Sequence, residues 1–118
     1  MKNLDLINYL KKNDGATLTP DLEPLNINKG FGVSIKGYET KSKNIFNLVA
    51  LLVTYQKIAK KKKGMIGFWL DRETSIWYLD ISKIFKHRKK AEKVGQKNDQ
   101  TAIFDFLKCE SIYLQKKN

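Results

Sequence analysis

Between residues 43 and 81 the hydrophobic period changes from that of a helix to that of a strand across a single glycine, which calls for a fold that mixes helix and sheet. Ile45, Leu48, Val49, Leu52, Tyr55, Ile58 and Ala59 recur at the 3.6-residue spacing of one helical face. The spacing predicts a helix over residues 43–60, with Ser42 as its N-cap and Gly64 as its stop. From Met65 the chain alternates instead, and residues 65–81 read as a hairpin turning through Arg72-Glu73-Thr74-Ser75. Asp71 holds the favoured first position of a type I turn. Pairing Asp71 with Ile76 sets Trp69 opposite Tyr78 and Gly67 opposite Asp80. Phe68, Leu70, Trp77, Leu79 and Ile81 then share the other face.

The flanks extend this alternation of helix and strand. Leu4, Ile7 and Leu10 predict a short helix over residues 3–12, ended by Asn13-Asp14-Gly15. Residues 16–29 contain both prolines and no period, so they read as a surface loop. Phe31, Val33 and Ile35 predict a strand over residues 31–38. A basic helix is expected over 86–97, strands over 101–106 and 111–114, and a frayed tail over 115–118. The element order is α-β-α-β-β-α-β-β. Short links between neighbouring strands favour an α+β fold: an antiparallel sheet of about five strands with two to three helices packed on one face. Residues 1–118 read as a single basic α+β domain, long enough to bury a core without a metal or disulfide.

The single cysteine, Cys109, excludes an internal disulfide and fits a reducing compartment, so a cytoplasmic location is expected. Met1 to Leu10 lacks the apolar core of a signal peptide. The longest apolar stretch, Leu48 to Val53, falls far short of the roughly 20 residues that cross a bilayer, so no membrane partner is expected.

Charge is the strongest functional signal. The net +11 is unevenly placed: residues 1–40 balance five lysines with five acids, and residues 41–118 carry eighteen Lys and Arg against seven acids. Lys83, Lys86, Arg88, Lys89, Lys90, Lys93 and Lys97 gather around one predicted helix, and Lys60, Lys61, Lys62 and Lys63 form a second cluster. Lysines meet phosphates as point charges and release counterions on binding. Trp69 and Tyr78 would add a flat stacking surface of the kind single-strand binders use. A lysine-rich helix is also what a plain solvated face looks like, and Trp69 and Tyr78 have the composition of core residues.

Catalytic chemistry finds little support. His87 is the only histidine and Cys109 the only cysteine, too few for a structural zinc site of about four ligands. No phosphate-binding loop or serine elbow occurs. Asp71, Glu73, Asp80 and Asp105 lie in or beside predicted strands, where paired carboxylates can hold a divalent metal for phosphodiester cleavage. The third acid and close lysine of a nuclease site are missing, so a metal-dependent nuclease is the weakest reading. No catalytic residue, metal or cofactor is expected.

Gly67-Phe68-Trp69-Leu70-Asp71-Arg72-Glu73-Thr74-Ser75, Tyr78-Leu79-Asp80-Ile81-Ser82, Ala91, Asn98-Asp99-Gln100-Thr101-Ala102-Ile103-Phe104-Asp105 and Glu110-Ser111-Ile112 together form a pattern. It resembles a segment of small uncharacterised proteins of bacteriophages and mobile elements: a W-x-D turn, a Y-x-D-x-S strand, a helix and an N-x-Q-x-A-I-x-D strand. The resemblance covers roughly residues 64–114, and Ser75 replaces the glycine usual after the turn threonine. It implies a non-enzymatic inhibitor of a host nucleic-acid-guided or nucleic-acid-processing defence effector, in the manner of anti-CRISPR proteins. Such a protein would act through its lysine-rich surface on the nucleoprotein or its RNA or DNA. The alternative is an accessory RNA- or DNA-binding protein.

Overall fold

A computed structural model describes residues 3–115, so the expected tail lies outside the described residues from 116 on. The chain runs α1 (Asn3–Asn13), β1 (Gly15–Leu18), β2 (Phe31–Ser34), β3 (Thr40–Ser42), α2 (Ile45–Val49), α3 (Leu52–Lys62), β4 (Met65–Asp71), β5 (Ile76–Phe85), α4 (Arg88–Lys97), β6 (Ala102–Asp105) and β7 (Glu110–Tyr113). The strands form an antiparallel sheet in the order β1-β4-β5-β2-β6-β7, with β3 also paired to β5. The fold is α+β, as expected, but with seven strands where about five were expected.

Three differences have local causes. β1 occupies part of the expected loop and pairs with β4 over Gly15↔Trp69 to Leu18↔Ile66. Four residues are too few to display a period, and the helix-stopping Gly15 hides the strand start. Position 15 needs glycine: its φ is 132°, and a Cβ there would strike the Phe68 carbonyl and the Trp69 Cα. The strand expected over 31–38 is shorter, ending as β2 at Ser34, and after Gly37 the chain re-enters the sheet at Thr40 as β3, a strand that was not expected. The helix expected over 43–60 divides into α2 and α3 at Ala50-Leu51. The Leu51 N–H donates to the Leu48 carbonyl at 3.0 Å, a three-residue ring inserted among four-residue ones. Leu48, Leu52, Tyr55 and Ala59 are buried across the break, so the apolar period does not register it. The N-cap is Asn44, whose side chain accepts the Phe46 N–H at 3.0 Å, whereas the Ser42 hydroxyl accepts the Asn44 N–H at 3.1 Å.

The chain forms two compact units, residues 1–25 with 38–81 and residues 26–37 with 82–118. In the first, Leu6, Leu10, Leu18, Leu48, Ile66, Phe68 and Leu79 are fully buried. Trp77 meets Phe68 edge-on at 5.6 Å. The buried Tyr55 hydroxyl donates to the Tyr38 carbonyl and lies 2.8 Å from the Thr40 hydroxyl. In the second unit Val33, Ala91 and Ile103 form the core, and Phe31, Phe85, Val94, Ile112 and Leu114 pack around it. α4 lies close to β6 because position 95 is glycine: a Cβ there would sit 2.7 Å from Leu114 Cδ1 and 3.0 Å from Ile103 Cγ2.

Candidate nucleic-acid interface

The second unit contains twelve of the Lys and Arg residues against four acids, a net +8 out of +11. The helix α4 accounts for much of it. Its Ala91 and Gly95 are buried and Val94 packs on the core, a stripe at helical spacing that fixes which side meets the sheet. Lys89, Lys93 and Lys97, each four residues apart, therefore form one exposed line along the outer side. None of the three makes an ion pair among the described residues. Arg88 is engaged with Glu92 at 3.3 Å, and the Lys90 ammonium lies 5.9 Å from the Phe85 ring centre. Lys86 is exposed ahead of the helix. Lys83 is not on the helix: it lies in β5, opposite Val33, and is half-buried.

The polarity of α4 separates its first-turn cations from ordinary helix decoration, whereas Lys97 in the last turn suits the dipole. Its first turn holds Arg88, Lys89 and Lys90 and no acid. Cations at the positive end of the helix dipole oppose it by about 0.3–1 kcal/mol each at exposed sites. His87, at the N-cap position, provides no side-chain hydrogen bond. The Lys60–Lys63 cluster shows the reverse arrangement. Lys60, Lys61 and Lys62 close the last turn of α3, where positive charge favours the helix, and Lys63 forms its left-handed cap at φ 55°. Lys60 also lies 3.7 Å from Asp21. Helix stability accounts for this cluster without a ligand.

Trp69 and Tyr78 do face each other across the hairpin, as the register predicts. Their rings stack at 4.2 Å and 7°. Trp69 is 43% exposed and Tyr78 is half-buried. Each thus spends one face on the other. Phe68, Trp77 and Leu79 are buried on the helix-covered side of this sheet, so the Trp69–Tyr78 pair occupies the opposite side. Lys60 to Lys63, in the helix layer, are not brought together with it. Lys41, opposite Tyr78 in the register of β3, is an exposed cation on the pair's side, and sequence reasoning missed it because β3 was not expected.

The acids serve local structure. Asp71 accepts the Glu73 N–H at 3.0 Å and so shapes the hairpin turn. Asp80 is buried beside Gly67, where any Cβ would strike its carboxylate. Buried Asp105 accepts the Leu107 and Lys108 N–H groups at 2.9 and 3.3 Å. Asp99 holds Lys36 at 2.5 Å, which lowers the Asp99 pKa and raises that of Lys36 through hydrogen bonding first and charge second. Asn98 accepts the Lys36 backbone N–H at 3.2 Å and completes this clip. Among the described residues no three of His, Cys, Asp or Glu gather as metal ligands do, and no helix is long and apolar enough to cross a membrane. No known protein family, curated protein or solved structure matches the chain.

Proposed function

We propose that this is a non-enzymatic binding protein that holds nucleic acid on the outer side of α4. The observation that carries the reading is the exposed line of Lys89, Lys93 and Lys97, without ion pairs among the described residues, in a unit of net +8. Lys89 lies in the first turn of α4, where a cation opposes the helix dipole, and an anion at that end would offset the cost. Phosphate contacts of this kind read charge and spacing rather than base sequence. Fluorescence anisotropy with labelled RNA and DNA tests the reading. Binding should weaken steeply with salt, and the triple variant Lys89→Glu, Lys93→Glu, Lys97→Glu should abolish it while circular dichroism stays unchanged. Binding of the triple variant equal to wild type would refute the assignment to α4.

The resemblance of residues 64–114 to mobile-element proteins favours a biological setting for that binding: inhibition of a host nucleic-acid-guided effector. The segment includes α4 entire, so the interface and the resemblance coincide in sequence. In a cleavage assay with such an effector, the wild-type protein should protect the target and the triple variant should not. Undiminished cleavage with saturating protein would remove the inhibitor role and leave the accessory nucleic-acid-binding role.

A further inference from the structure

The side of β6 and β7 turned away from α4 displays aromatic rings that the core does not use. Ile103 and Ile112 point to α4, so Ala102, Phe104, Ser111 and Tyr113 point the other way, paired as Ala102↔Tyr113 and Phe104↔Ser111. Phe104 is 38% exposed and Tyr113 is 77% exposed. Phe106 closes the group from the strand end, edge-on to Phe104 at 5.1 Å. Its ring lies against Gly32, where a Cβ would come within 3.1 Å of it, so β2 holds the ring in place. Phe104 and Tyr113 stand at diagonal positions on neighbouring strands, and each leaves ring surface open.

Charge at one end of this sheet indicates the occupant. Phe31 aligns with both Phe85 and Asp105, so β2 begins where β5 and β6 end. Lys29, Lys86 and Lys108 lie within three residues of those positions, are exposed, and make no ion pair among the described residues. The acids nearby are Asp105, which accepts backbone N–H groups, and Glu110, its exposed cross-strand partner. Open aromatic rings on strands that carry cations at one end, the end nearer Phe104 than Tyr113, match the alternation of base and phosphate in an unpaired strand. A duplex keeps its bases stacked on each other and has none to offer.

We infer that Phe104 and Tyr113 stack the bases of a single-stranded nucleic acid whose phosphates meet Lys29, Lys86 and Lys108. The inference rests on the nucleic-acid reading above but concerns the opposite side of the second unit's sheet, and the two fail separately. The test is anisotropy with a fluorescein-labelled ten-nucleotide strand and with its duplex, on the full-length protein. Tyr113→Ala removes a ring that is almost wholly outside the core, and Phe104→Ala follows with its fold checked by circular dichroism. Each should weaken single-strand binding about fivefold or more, in line with the loss of one stacked base. Duplex binding should not change, and 2-aminopurine placed in the strand should lose fluorescence on binding wild type but not the variants. Equal loss for duplex and single strand, or no loss for either, overturns the inference. So does concentration-dependent dimerisation in light scattering that Tyr113→Ala abolishes, since that would make a second copy the occupant. If only the α4 triple variant affects binding, the inference falls and the α4 reading stands; if neither form of nucleic acid binds wild type, both fall.

Discussion

Asp99 and Lys36 form an exposed ion pair, and its protonation has a definite sign. The Asp99 pKa is lowered in the folded protein, so its contribution is complete above the usual carboxylate range and is lost as pH falls through the lowered value. Lys36 is raised, so its contribution is complete below the usual lysine value and is lost as pH rises through the raised one. Wild type should therefore exceed Asp99→Asn in urea midpoint by a small margin at neutral pH. That margin should vanish in strong acid, and the Asp99 carboxyl resonance should titrate below the usual range. An ordinary titration midpoint would show that the clip is open in solution. At this scale the sequence was legible where one residue acts on its neighbours, as Asp71 does in its turn. The carboxylates of Asp80 and Asp105 were open to a metal reading because a sequence does not reveal that Gly67 accommodates one or that two backbone N–H groups occupy the other.

Element boundaries depended on whether burial left a period long enough to read. The hairpin did: alternation over β4 and β5 placed Trp69 against Tyr78, and the rings stack there. The break between α2 and α3 was invisible, because a hydrogen-bond ring of three residues at Leu51 leaves the apolar face continuous. β1 was hidden by its length and by the glycine that lets it approach β4. Gly95 was likewise silent in sequence, yet it sets how closely α4 approaches Leu114 and Ile103. Gly95→Val should destabilise the protein by about 1–3 kcal/mol through overpacking, despite the better helix propensity of valine. Urea denaturation measures the loss. A variant as stable as wild type would mean that α4 shifts freely on the sheet, and the orientation of its lysine line would lose its anchor.

Over the whole chain, the basic excess was readable as a sum but not as a surface. A linear count joined Lys60–Lys63, Trp69, Tyr78 and the lysines of residues 83–97 into one candidate interface. The fold distributes them by cause: a helix end that favours lysine, a ring pair on the other side of its sheet, and a helix whose first-turn cations oppose its own dipole. Of the α4 cations, Lys89 and Lys93 lack an explanation in folding, and they lie in the unit that carries +8 of the charge. The most direct measurement is the salt dependence of duplex DNA binding for wild type and for the triple variant Lys89→Glu, Lys93→Glu, Lys97→Glu. Three phosphate contacts contribute about 2–3 units to the slope of log affinity against log salt. The account predicts a steep wild-type slope, with binding by the variant reduced to a level too weak to follow at physiological salt. Salt-independent binding by wild type, or a variant with the wild-type slope, would contradict it.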